Sequence, residues 1–262
     1  MIVIKSGGRV IKNSFDKLIN SLSNYNESAV FVHGGGDIVT DYSKRMGIEP
    51  TFVVSPEGIR SRYTTREELD IYVMAMNLIN KNIVSSISSK GRNVVGITGA
   101  DGPSIYAERK KRIMIIDERG KKRIIEGGYT GKIIKVNNEF LLGLISLVNY
   151  VVMAPIAIDV NEGVLLNVDG DQMALAVAKT LRADALVILT DVEGVLVDGK
   201  VINKLSVNEA KDLAKKIGPG MNRKILMAAS AVEEGVKRVI ISSGLKDNSV
   251  LEALSGKGTV IE

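Results

Sequence analysis

The chain has 262 residues, 45% hydrophobic and 25% charged, enough for one large core or two closely joined ones in an ordinary globular protein. It contains no cysteine, which excludes disulfides, thiolate metal sites and cysteine nucleophiles, and its single histidine, His33, argues against a histidine-based metal site or a Ser-His-Asp triad. A net charge of +5 fits a solvated basic surface or an acidic partner or substrate, while an aromatic content of 4% leaves few platforms for stacking on nucleic-acid bases.

Short β-branched runs alternate with longer helical patterns, which predicts an α/β fold with a mostly parallel sheet covered by helices. Ile2–Ile4 reads as the first strand; Lys5 cuts it short, too soon for a signal-peptide core. A helix over Phe15–Leu22 follows, then a strand over Ala29–Val32 ending at His33-Gly34-Gly35-Gly36. Ile38–Met46 and Arg66–Ser86 read as helices, and Asn93–Ile97 as a strand. Arg112–Ile116 and Lys122–Ile125 flank Asp117-Glu118-Arg119-Gly120, a β-hairpin signal. The longest apolar stretch, Leu141–Ile158, is interrupted by Asn149 and Pro155; it falls short of the roughly 20 residues of a membrane span. It reads as a buried helix over Phe140–Leu147 and one buried strand over Val151–Ile158, so no membrane association and a cytoplasmic location are expected. A strand at Val164–Val168, a helix at Gln172–Leu181 and a strand at Ala185–Leu189 come next. Helices at Asn208–Ile217 and Arg223–Glu234, a strand at Arg238–Ile241 and a final helix and strand complete the chain. A soft boundary near residue 165 divides it into halves 1–165 and 166–262.

Two segments imitate a phosphate-binding P-loop and fail. Glu126–Ile133 contains Gly131-Lys132, but Glu126 replaces the first glycine and Ile133 the Ser/Thr; Gly256-Lys257-Gly258 fails likewise. What remains are glycine clusters at strand ends, Lys5-Ser6-Gly7-Gly8 and His33-Gly34-Gly35-Gly36. Glycine lets backbone N–H groups approach an anion, a following helix adds its positive end, and open α/β sheets bind ligands at the carboxyl ends of their strands. Either cluster alone fits a tight turn; two of them, one with a lysine, point to anion binding.

Those clusters, with Leu166–Gln172, Leu189–Val195 and Gly220–Lys224, resemble in order and spacing the motifs of the amino acid kinase family over the whole chain. The resemblance implies a three-layer αβα sandwich and ATP-dependent phosphorylation of a carboxylate, with Mg²⁺ held by ATP oxygens and water and no protein metal ligand. It implies that Lys5 and Lys224 flank the transferred phosphoryl group and that Asp171 orients them, although Asp171 also fits a simple helix cap. Gly7 and Gly8 would contact phosphate; Thr190, Asp191, Val192, Gly194 and Met221 would contact the nucleotide, with the 218–224 segment closing over it. Gly35, Gly36, Arg62 and Asn167 would bind the acceptor, Arg62 by a bidentate contact with its α-carboxylate.

Within the family, Arg62-Tyr63-Thr64 and Gly128–Gly131 resemble loops of the N-acetylglutamate kinases. The stretch Ser55–Thr64 departs from their pattern and resembles instead the kinases acting on aminoadipate or glutamate attached to the small carrier protein LysW. The basic residues between Glu108 and Lys135, among them Arg109, Lys110, Lys111, Arg112, Arg119, Lys121, Lys122, Arg123, Lys132 and Lys135, fit an acidic carrier, or equally a solvated hairpin. The family further implies a homodimer through the N-terminal half. Starting at its first strand, without the helix that arginine-inhibited acetylglutamate kinases use to form hexamers, the chain is expected to be insensitive to arginine. The alternatives left open are a plain N-acetylglutamate kinase, a uridylate kinase, a nucleotide- or oxyanion-binding storage protein of the same fold, and a basic nucleic-acid-binding protein. The last lacks a recognisable binding module.

Overall fold

The elements follow one another in a computed structural model that describes residues 1–218 and 220–262. The first half contains β1 (Ile2–Ser6), α1 (Gly8–Asn24), β2 (Ala29–His33), α2 (Gly36–Arg45), β3 (Thr51–Val54), β4 (Arg60–Tyr63), α3 (Arg66–Ser88) and β5 (Val94–Thr98). There follow β6 (Ile105–Arg109), β7 (Arg112–Ile116), β8 (Lys122–Glu126), β9 (Gly131–Val136), α4 (Asn138–Leu147), β10 (Tyr150–Ala154), β11 (Ile156–Asp159) and β12 (Val164–Asn167). The rest comprises α5 (Gly170–Thr180), β13 (Ala185–Thr190), β14 (Leu196–Val197), β15 (Lys200–Val201), β16 (Lys204–Leu205), α6 (Val207–Ala214), α7 (Met221–Glu233), β17 (Val239–Ser243), α8 (Ser249–Leu254) and β18 (Thr259–Ile261).

Eight strands form the main sheet in the order β16-β18-β17-β13-β1-β2-β10-β5, parallel throughout except between β17 and β18. The β-branched runs are two-sided, as parallel strands covered by helices must be. Ile2, Ile4, Phe31 and Val187 face a core shared with α1, α3 and α8, while Val3, Val30, Val32 and Ile188 face one shared with α5, α6 and α7. This is the expected three-layer arrangement. Strands β1, β2, β10 and β5 come from residues before 165, and β13, β17, β18 and β16 from residues after it.

Four differences from the expectations have local causes. Val151–Ile158 is not one strand: Pro155, which has no N–H to donate, separates β10 in the main sheet from β11 in a second sheet of order β12-β11-β6-β9. The first helix starts at Gly8 rather than Phe15, because glycine, not a capping side chain, opens it. The apolar helix α4 buries only Leu141 and leaves Leu142 and Leu147 in solvent, so it is not the buried helix its composition implied. The hairpin of β3 and β4 was not apparent; its turn at Pro56-Glu57-Gly58 needs the positive φ of 76° at Gly58, with Ser55 and Ile59 bonded across it at 2.9 Å. It joins the expected β7–β8 hairpin in a third sheet, β4-β3-β7-β8. Among the described residues no helix is long and apolar enough to cross a membrane.

Candidate active site at the carboxyl ends of the central strands

Parallel pairing brings Ser6, His33 and Leu189 side by side, so the two glycine clusters leave the sheet together. The Gly34 N–H donates to the Ser6 carbonyl at 2.8 Å. A Cβ on Gly34 would lie 2.9 Å from the Gly8 nitrogen, and one on Gly8 would lie 3.1 Å from the Gly35 Cα. Backbone therefore packs on backbone, and any side chain here would push the loops apart. Helices α1 and α2 begin immediately beyond, with Gly7 and Gly35 as N-caps and no side-chain cap bond. By contrast α3, α4, α5 and α6 are capped by Thr65, Asn137, Asp169 and Ser206. The open first-turn N–H groups of α1 and α2 converge on the positive ends of two helices, a ready anion site.

Beside this edge lies a bridge of three charges. Lys5 Nζ, buried at the end of β1, is 2.7 Å from Asp171 Oδ1, and Lys224 Nζ, on the first turn of α7, is 2.6 Å from Asp171 Oδ2. Burial alone would raise the Asp171 carboxyl, but the charges of Lys5 and Lys224 outweigh it and hold the group far below the usual carboxylate range. The helix-capping alternative for Asp171 falls away, since Asp169 caps α5 by accepting from the Gln172 N–H at 2.9 Å. A Cβ on Gly7 would lie 3.8 Å from Lys5 Nζ, which puts the lysine under the first glycine loop.

Two clefts open on the edge. The smaller, about 260 Å³, is lined by Gly7, Gly8, Gly36, Thr190, Asp191 and Lys224 among others. Arg9 Nη1 hydrogen-bonds Asp191 at 3.0 Å and, with Thr190, lowers the Asp191 carboxyl from its ordinary value. The larger, about 800 Å³, is lined by Gly34, Gly35, Gly36, Arg62, Asn167 and Gly170, with a basic outer wall of Lys110, Lys132, Lys179 and Arg223. Gly36 and Asp37 border both. Val192, Gly194 and Met221 line neither; a Cβ on Gly194 would lie 2.9 Å from Thr259 Oγ1, so close packing accounts for that glycine. Of the 218–224 segment, Pro219 lies outside the described residues.

Arg62 reaches across from β4 to the second glycine loop. Its Nη2 donates to the Gly36 carbonyl at 3.1 Å and to Thr40 Oγ1 at 2.6 Å, and its Nη1 to Glu68 Oε1 at 3.1 Å. A bidentate contact with a ligand requires it to release some of these partners. Asn167 Nδ2 donates to the buried Thr64 Oγ1 at 2.9 Å, and the Tyr129 N–H donates to the Thr64 carbonyl at 2.8 Å, which stitches the Gly128–Gly131 loop to the cleft wall. His33 is fully buried, with Nδ1 3.0 Å from the Gly34 carbonyl; burial pushes its pKa down to about 4, so it is neutral at physiological pH. Sequence reasoning missed Tyr72, Gln172 and Lys179 on the larger cleft. Gln172, Leu175, Ala176 and Lys179 share the i, i+3, i+4, i+7 face of α5, a signal that acquires meaning only once the helix is placed.

An α/β sandwich with uncapped helix starts and a lysine–carboxylate–lysine bridge at its strand ends has the form of a phosphoryl-transfer protein. The profile of the Amino acid kinase family matches residues 1–243, and the chain belongs to that family. It is 63% identical over 261 residues to a protein of Saccharolobus solfataricus named [LysW]-aminoadipate/[LysW]-glutamate kinase, covering 100% of this chain and 99% of that one. A protein of the same name from Metallosphaera sedula is 61% identical, with full coverage of both. Among solved structures, N-acetylglutamate synthase from Neisseria gonorrhoeae in complex with coenzyme A and N-acetyl-glutamate superposes with a TM-score of 0.82 at 25% identity; the match covers 99% of this chain and 58% of the synthase. Carbamate kinase from Giardia lamblia bound to AMP-PNP, at 17% identity and a TM-score of 0.68, shares the fold.

Proposed function

We propose that this chain is an ATP-dependent kinase that phosphorylates the side-chain carboxylate of aminoadipate or glutamate attached to the carrier protein LysW, in lysine and arginine biosynthesis. The observation that carries the reading is the Asp171 carboxylate held between Lys5 and Lys224 beside two uncapped helix starts. Full-length identity of 61–63% to kinases of that name selects the acceptor.

An acceptor carboxylate is already ionised at neutral pH, so the reaction needs no general base; a neutral, buried His33 is consistent with that. One acceptor oxygen forms the bond to the γ-phosphorus while the bond to the β,γ-bridging oxygen breaks. ADP leaves with the electron pair, and an acyl phosphate is the product. What the protein supplies is alignment of two anions and neutralisation of charge on the group in flight. Lys5 and Lys224 provide the charge, and Asp171 keeps both ammonium groups at fixed positions. Amides at Gly8, Gly35 and Gly36 take phosphate and acceptor oxygens, beside Gly7, whose own N–H donates to the Leu189 carbonyl at 3.3 Å; Arg62 and Asn167 hold the acceptor's carboxylate end. Thr190 and Asp191, which line the smaller cleft, contact the nucleotide. Mg²⁺ would be held largely by ATP oxygens and water, where it would neutralise phosphate charge.

The 1–165 half holds the dimer contacts and most acceptor contacts, the 166–262 half most nucleotide contacts, and the enzyme works in the cytoplasm as a homodimer. Its carrier is acidic and meets the basic β7–β8 region. Trapping the acyl phosphate with hydroxylamine distinguishes the acceptors. Carrier-linked aminoadipate or glutamate should give hydroxamate at far lower concentration than free N-acetylglutamate. Equal or better use of the free compound would replace this reading with a plain acetylglutamate kinase.

A further inference from the structure

Thr65 and Glu68 at the start of α3 have the spacing of a capping box, in which the glutamate reaches back to the N-cap amide. The same spacing in α6 makes both halves: Ser206 Oγ accepts from the Glu209 N–H, and Glu209 accepts from the Ser206 N–H at 2.8 Å. In α3 only one half forms. Thr65 Oγ1 accepts from the Glu68 N–H at 3.2 Å, but the Glu68 carboxylate turns away to Arg62. There it is 2% exposed and its Oε2 has no hydrogen-bond partner among the described residues. A carboxylate is tolerated in such a place only beside a counter-charge. The diversion therefore serves Arg62 and not the helix.

The partners of Arg62 are of two kinds. Nη2 gives its hydrogens to the Gly36 carbonyl and Thr40 Oγ1, both neutral, and Nε has no partner among the described residues. Nη1 alone is held by a charge. A guanidinium presents paired N–H groups along its edges to a carboxylate, and such charge-assisted bonds are about twice as strong as neutral ones. An incoming carboxylate thus outcompetes Gly36 and Thr40 for the Nε–Nη2 edge, but it finds Nη1 already held by Glu68. We infer that Glu68 is a positioning residue, which anchors Arg62 by Nη1 so that its Nε–Nη2 edge stays aimed into the larger cleft while the acceptor carboxylate replaces its neutral partners. The inference rests on the reading that Arg62 receives the acceptor.

The test measures KM for aminoadipate-loaded LysW, KM for ATP, kcat and the urea midpoint in Glu68→Gln, Arg62→Ala and the double variant. Glutamine keeps the volume and an acceptor oxygen while removing the charge. Glu68→Gln should raise the acceptor KM about tenfold, the scale of one charge-assisted hydrogen bond. The ATP KM and kcat should hold within about twofold, a split that a loss of fold would not produce. Added to Arg62→Ala, it should raise the acceptor KM no further, because it acts through the arginine. If Arg62→Ala raises the acceptor KM and Glu68→Gln leaves it unchanged, or raises both KM values alike, the inference fails while the acceptor reading stands. If Arg62→Ala itself leaves the acceptor KM unchanged, the acceptor reading fails and takes this inference with it.

Discussion

At the carboxyl edge of the main sheet, Lys5 and Lys224 sit 2.7 and 2.6 Å from one partly buried carboxylate, each held at the start or end of a regular element. On the β7–β8 hairpin, Arg119, Lys121 and Lys122 stand exposed, with no ion-pair partner among the described residues. The charge is the same and its setting is not. Two unit charges 4 Å apart interact by about 1 kcal/mol in bulk water but about 4 kcal/mol at the effective dielectric of a protein site. Fixed, desolvated charge can stabilise a transition state; mobile, solvated charge chiefly speeds the encounter with an acidic partner. Burial, more than the number of lysines, separates chemistry from recognition in this chain.

That contrast breaks most readily at the lysines. Lys5→Ala and Lys224→Ala should each lower kcat about a hundredfold or more with the protein still folded, the scale of a lost transition-state donor. Near-normal turnover in either variant would refute the role of that lysine. Next comes the backbone beside them. Gly34→Ala places a Cβ 2.9 Å from the Gly8 nitrogen and 3.2 Å from the Ser6 carbonyl, so the loops must separate. Turnover should fall about tenfold with secondary structure unchanged by circular dichroism, since small misplacements at a phosphoryl site are costly.

The buried edge also predicts a pH effect on stability. His33 is the only histidine; its pKa falls from about 6.5 in the unfolded chain to about 4 in the folded one. Below the unfolded value the unfolded state takes up the proton first, so stability declines as pH falls from about 6.5 toward 4. Between pH 7 and 5.5 urea unfolding should lose about 1 kcal/mol through this residue, and His33→Asn should abolish that part of the slope. A slope that survives the substitution would show that His33 is not the group responsible.

The smallest effect is expected on the hairpin. Lys110 lines the larger cleft and Lys111 lies 3.5 Å from Glu162, so neither reports on solvated charge alone. Replacing Arg119, Lys121 and Lys122 with serine should raise KM for loaded LysW a few-fold at low salt. The gap to wild type should close near physiological salt, where the screening length is about 8 Å. A fall in kcat at saturation would blur the comparison and bring the hairpin into the chemistry.

Much of this was readable beforehand where cause and effect are local in the chain. Continuous apolar runs in β1, β2 and β10, alternating with longer helical patterns, marked the parallel sheet; Lys5, Gly7, Gly8 and Gly34–Gly36 marked its working edge. What escaped depends on contacts made across the fold. Pro155 ends a strand only because β11 has another sheet to join. Thr65 and Glu68 look like any capping box until Arg62, which precedes the helix in the chain, is folded back against it. Lys179 is one more basic residue on a helix until α5 is laid along the cleft.

The most direct test of the bridge is the rapid-quench rate of phosphoryl transfer in Asp171→Asn, with ATP and loaded LysW both saturating. Asparagine keeps the shape of the side chain and removes the charge that holds Lys5 and Lys224 in place. The transfer rate should fall by about tenfold to a hundredfold while ATP still binds. A transfer rate equal to that of the wild type would contradict the account, because the two lysines would then be shown to need no carboxylate between them.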